Sequence, residues 1–249
     1  MRYEVFLRLK AYAISCIISM VICMLSLQHP YISVRFDGHG TYGGGQQFSR
    51  NRMVKRCGCG VVAATDLLLY LDRYHSDSEI PLFRDLPREG PVPFHAYDAC
   101  LQRMRTSYFP MIPYAGINGL MLAAGMQLLF RRWKLPYTAK WCFGHARLWA
   151  RIETMLCADL PVIMSVGPNF PLFWRHEKAN FYTRMPSGEL RATAGAHAHY
   201  FTVTGMDEDW LRISSWGRLY YLRRREFDEY VARHSAAFAS NILYIERKT

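Results

Sequence analysis

The stretch that most constrains this chain is KRCGCGVVAATDLLLYL, residues 55–71. Two cysteines stand one residue apart, each followed by glycine, and then the chain turns apolar. Ala64, Leu67, Leu68 and Leu71 recur at i, i+3, i+4 and i+7, so residues 60–74 are expected to form a helix. A helix this apolar must be buried against other elements. The composition can supply that core, since 51% of the 249 residues are hydrophobic and only 20% are charged. The length allows one large domain, or one domain and an appendage.

The appendage is expected at the N-terminus. AYAISCIISMVICMLSL, residues 11–27, carries no charge, and Arg2, Arg8 and Lys10 precede it. As a helix it would be about 26 Å long, at the short limit for a membrane span. The exit, SLQHP, lacks the small-residue pattern of a signal-peptidase site. Residues 1–30 therefore read as a signal anchor and residues 31–249 as the domain. With the basic flank on the inside, the protein is expected to be single-pass, its C-terminal domain outside the cytoplasm. A buried core helix is the alternative.

The net charge of +11 would suit nucleic acid or an anionic membrane. The basic residues are scattered, however, apart from Arg131-Arg132 and Arg223–Arg225, and no nucleic-acid motif is present. No nucleic-acid partner is expected. The seven cysteines are odd in number and too thinly spread for a disulfide scaffold. Cys100, Cys142 and Cys157 read as core thiols.

Residues 31–36 alternate like a short strand. The next segment, DGHGTYGGGQQ, holds five glycines in eleven positions and reads as a loop that brings backbone close to something. Residues 94–106 look helical. INGLMLAAGMQLLFRRW has Asn118 as a plausible N-cap, two glycines and two arginines, and reads as a core helix rather than a span. The C-terminal half changes character. YTAKWCF is strand-like, HARLWARIETMLCADL helical, and PVIMSVG, HYFTVTGMD, WLRISSW and RLYYL are strand-like again. A helix, RREFDEYVARHS, and a strand, NILYIER, follow. Very short turns between residues 199 and 222 imply an antiparallel meander. Helices first and strands later make an α+β pattern, a helical layer on an antiparallel sheet. GPNFPLFWRHEKANFY, residues 167–182, is aromatic and loop-like, either a cleft wall or a buried loop.

Cys59 would sit at the tip of the buried helix, where the positive end of the helix dipole favours the thiolate. Gly60 beside it would let a substrate carbonyl approach the backbone N–H groups. A thiolate needs a base. His199 opens an apolar strand and can face the helix tip. His197 points to the same side but lies before the strand pattern begins. Ser214 or Ser215, on the next strand, could come alongside His199. Gln46 and Gln47, in the glycine-rich loop, could donate to an oxyanion. Trp216 follows the two serines.

Taken together, CGVVAATDLLLYL, DLPVIMSVG, HYFTVTGMD and the Ser-Trp-Gly of SSWG resemble the papain-like cysteine peptidases, especially the bacteriocin-processing (double-glycine leader) branch. The resemblance spans about residues 45–246. It implies a papain-like α+β fold with Cys59 as nucleophile and His199 as general base. Ser214 would stand where the family places an orienting Asn or Asp. Gln46 or Gln47 would serve the oxyanion hole, although the family's usual position, six residues before the cysteine, is Met53 here. The implied activity is hydrolysis of a peptide or amide bond, or transfer to an amine, on a peptide or protein substrate and with no cofactor. Serine brings no charge to the imidazole, so a catalytically silent domain that binds peptides or a partner is a second expectation. A third is a zinc site of Cys57, Cys59, His197 and His199, although one-residue spacings are atypical for structural zinc.

Overall fold

The computed structural model describes residues 24–75 and 77–248. The apolar run before residue 24, and with it most of the expected membrane helix, lies outside the described residues. The last residues of that segment are not helical. Leu25–Ser26 (β1) pair antiparallel with Met206 and Gly205, and Leu27 is buried. The chain is then pinned by Asp159, which accepts from the Gln28 backbone N–H at 2.7 Å and pairs with His29 Nδ1 at 2.7 Å. Among the described residues no helix is long and apolar enough to cross a membrane.

Short strands Val34–Phe36 (β2), His39–Gly40 (β3) and Val92–Pro93 (β4) form a small three-stranded sheet. The short helix Arg52–Cys57 (α1) starts at Asn51, whose side chain accepts from the Met53 and Val54 N–H groups. Gly58 then separates α1 from the central helix Cys59–Tyr74 (α2).

The one-face stripe read for this helix understates its burial, because every residue from Gly60 to Asp72 is buried. Its polar members survive because each has partners. Thr65 Oγ1 donates to Val61 O at 2.8 Å. Asp72 accepts from the Ile80 N–H and from Arg88 Nη1, each at 2.7 Å. Each fully buried leucine of α2 contributes about 1.5–3 kcal/mol of transfer free energy, so enclosing this helix fixes the arrangement of the layers around it.

Phe94–Ser107 (α3) and Gly119–Arg132 (α4) pack beside α2. The core-helix reading of α4 holds. Asn118 Oδ1 caps it by accepting from the Met121 N–H at 2.9 Å. Its glycines are contact points: a Cβ on Gly119 would collide with the Trp141 ring, and one on Gly125 with the Tyr108 carbonyl.

The C-terminal half forms the α+β arrangement expected. Tyr137–Trp141 (β5) pairs with the last strand, and Leu148–Cys157 (α5) precedes Val162–Val166 (β6). Ala179–Arg184 (β7), Leu190–Ala196 (β8), His199–Met206 (β9), Trp210–Ser215 (β10) and Arg218–Arg223 (β11) follow. Arg224–His234 (α6) and Leu243–Arg247 (β12) end the chain. The main sheet runs β1-β9-β10-β11-β7-β8, with β6 also on β9. The meander of β9, β10 and β11 is antiparallel throughout.

Two readings are corrected. The aromatic stretch 167–182 is not all loop, because β7 begins at Ala179 and forms a hairpin with β8 that extends the sheet past β11. The hairpin is mostly solvent-facing; Phe181 is its only large buried side chain, beside the small Ala179 and Ala196, so its apolar signal is weak. Cys157, expected in the core, is exposed at the end of α5, whereas Cys100 and Cys142 are buried as expected.

Candidate active site

The glycine-rich loop, the tip of α2 and the ends of β9 and β10 meet at one place. Cys59 opens α2, as the sequence implied. Gly60 has a different role from the one expected. A Cβ there would lie 2.6 Å from Ile117 Cγ2 and 3.2 Å from Tyr200 Cδ2. The missing side chain therefore lets α2 close onto β9, and the space is filled by the protein rather than left for a substrate.

The Cys59 thiol also departs from the dipole argument. Burial pushes its pKa up, and this outweighs the backbone groups of Tyr200 and Gly60 that pull it down. A helix end offers about half a unit charge, too little here to offset removal of the thiolate from water.

His199 is buried, and burial alone pulls its pKa down to about 3. Its Nε2 lies 2.8 Å from Ser215 Oγ. Trp216 stacks on the imidazole, with ring centroids 4.4 Å apart and planes 19° from parallel. Cys59 and His199 line the same small cavity of about 20 Å³ and the same larger cleft of about 880 Å³. Among the described residues no hydrogen bond joins the sulfur to the ring.

Ser214 does not meet His199. Its Oγ donates to the Tyr42 carbonyl at 2.7 Å. Sheet register explains the exchange. Ser214 pairs with Thr202, so its side chain shares the face of Thr202, opposite to that of Phe201 and His199. Ser215, one residue on, returns to the face of His199.

The two glutamines separate as well. Gln47 Nε2 donates to the Trp216 carbonyl at 2.7 Å and ties the loop to the turn after β10. Gln46 lines both cavities with Cys59. Its Nε2 donates to the Lys55 carbonyl at 3.3 Å, and its Oε1 is buried with no partner among the described residues. Met53 lies within α1.

What the glycine-rich loop approaches is Asp66, which the sequence reading passed over. This buried carboxyl of α2 accepts from the Gly44 N–H at 2.8 Å and from Tyr97 Oη at 2.7 Å. Burial raises its pKa to about 6, against the hydrogen bonds of Tyr97, Gly44 and Tyr31. Gly43, at φ +77°, and Gly44 have no room for a Cβ beside Asp66, Ser214 and Tyr97. A signal was present in the sequence: one acid, seven residues after Cys59, inside a run that had to be buried.

The residues of the zinc reading all border the larger cleft, but they do not form a ligand set. Cys57 Sγ donates back to the Met53 carbonyl at 3.2 Å. His199 Nε2 is engaged by Ser215. Among the described residues no three His, Cys, Asp or Glu side chains converge on a metal position.

No protein-family model matches the chain, and no curated protein matches it. Among solved structures it is similar to a crystal structure of a supposed C39-like peptidase from Bacillus anthracis. That match has 12% identity and a TM-score of 0.38, and covers 83% of this chain and 95% of the other.

Proposed function

We propose that the domain is a papain-like cysteine peptidase or amide hydrolase, with Cys59 as nucleophile and His199 as general base. The observation that carries this reading is the shared cleft: Cys59 and His199 both line it, and the imidazole is held by Ser215 through its Nε2. With Nε2–H donating to Ser215 Oγ, Nδ1 keeps the lone pair that a base needs. Ser215, rather than Ser214, takes the orienting place. Gln46, rather than Gln47, is the side chain available to an oxyanion.

The resting pair is neutral, since burial raises the thiol and lowers the imidazole. The proton therefore leaves sulfur as the attack proceeds. Sγ adds to the carbonyl carbon while its proton passes to His199. The oxyanion is met by the Cys59 backbone N–H and the Gln46 amide. Collapse expels the amine, which takes the proton from His199 and leaves a thioester. Water, deprotonated by His199, then releases the acid and restores the thiol.

The same neutral pair favours a second reading, a catalytically silent peptide-binding domain of this fold. Reaction with an activated ester, followed as an acylation burst, separates the two. The enzyme reading expects a burst that disappears in Cys59→Ala and falls by at least about 100-fold in His199→Ala. Equal signals from wild type and both variants would end it.

A further inference from the structure

Beside the cleft, three segments carry large aromatic side chains that are exposed among the described residues. Phe173 and Trp174 are 63% and 72% exposed at the tip of the loop after β6. Phe170, behind them, makes edge contacts with Phe173 at 5.6 Å and with Phe238 at 5.8 Å. Phe143 is exposed on the loop after β5.

The three segments are stitched together by the fold. Trp141 Nε1 donates to the Phe238 carbonyl at 2.8 Å, and the Phe170 N–H to the His234 carbonyl at 3.0 Å. The exposed charges on or next to them are Arg147, Arg175, Lys178 and Arg233, against Glu177 and, further back on α6, Asp228.

We propose that this rim is a docking surface for an anionic lipid bilayer, with Phe173 and Trp174 entering the headgroup region and the four cations meeting lipid phosphates. Aromatic rings carrying this much exposed apolar area, flanked by cations, are the composition of an interfacial contact. A site for a peptide side chain would recess its aromatics. Here Phe173 and Trp174 are the most exposed of the five rings of this rim. Phe143, Phe238 and Lys178 also line the cleft that holds Cys59, so docking would present that cleft at the membrane surface. The chain before residue 24 joins the fold through β1, at the Met206 end of β9 and away from His199, so contact by the rim is separable from any attachment through that segment.

The test uses the full chain with vesicles of phosphatidylcholine, alone or with phosphatidylglycerol, containing lipids brominated on the acyl chains. On anionic vesicles, wild-type tryptophan emission is expected to include a quenched share that is missing in Trp174→Phe. The vesicle concentration needed for that share should rise about tenfold on phosphatidylcholine alone. It should rise similarly in Arg175→Glu/Arg233→Glu on anionic vesicles. Equal quenching in wild type and Trp174→Phe, or a Trp174 share indifferent to lipid charge, overturns the proposal. So does Trp174 emission that ignores vesicles but responds to a soluble peptide or oligonucleotide.

Discussion

His199 Nε2 and Ser215 Oγ lie 2.8 Å apart, while the neighbouring Ser214 Oγ turns away to the Tyr42 carbonyl at 2.7 Å. Ser215→Ala is therefore expected to lower the rate of Cys59 acylation about tenfold, the worth of one orienting hydrogen bond. Ser214→Ala should leave that rate near wild type and cost about 1 kcal/mol of stability, read by urea unfolding. The reverse pattern would return the orienting place to Ser214.

The thiol of Cys59 is expected to resist alkylation at neutral pH. Its iodoacetamide rate, followed by peptide mapping, should reach half-maximum above the ordinary thiol value of about 8.5, because burial raises it. A midpoint below pH 7 would instead reveal a resting thiolate–imidazolium pair and remove the neutral mechanism.

Asp66 and His199 pull stability in opposite directions as pH changes. In the fold Asp66 keeps its proton up to about pH 6, against 3.8 for a free carboxyl. Its contribution is thus full below about pH 4 and is lost as pH rises through 6. The His199 ring rejects a proton down to about pH 3 in the fold, against 6.5 when free. That contribution is full above 6.5 and fades as pH falls toward 3. Asp66→Asn removes the first effect and keeps the second. Between pH 4 and 6 the variant should gain more stability than wild type, the excess reaching about 3 kcal/mol by pH 7. Urea melts across that range measure it, and parallel curves would mean that Asp66 ionises normally in the fold.

Gly60→Ala is expected to destabilise by about 1–3 kcal/mol through its collision with Ile117. The same change in an Ile117→Ala background should cost at least about 1 kcal/mol less, since the colliding Cγ2 is gone. Additive losses would show that the two residues do not share this contact.

Much of the site was legible in the chain. The apolar run after Cys59 implied a buried helix with cysteine at its tip, and the β-branched segment after His199 implied a central strand, which begins on the cleft that Cys59 lines. Local periodicity encodes both, because each depends on which faces of one element must leave water. Asn118 was likewise legible as a cap, since capping is a matter of a few neighbouring residues.

The β7–β8 hairpin was hidden because its strands are largely solvent-facing and alternate mainly with alanine, a weak apolar signal. Gln46 and Gln47 were equivalent as sequence, and tertiary contacts separate them: Gln47 is tied to the Trp216 carbonyl, while Gln46 lines the cleft.

What the sequence by itself determined is the order of most elements and a cysteine and a histidine that line one cleft. The tertiary structure decided which serine reaches the imidazole, where the space beside Gly60 goes, and the directions in which the thiol and imidazole pKa values move. The first depends on a one-residue choice of register, which exchanges sheet faces. The second depends on Ile117 and Tyr200, remote in sequence, and the third on burial, which removes water from the thiol and the ring more strongly than a helix end can compensate.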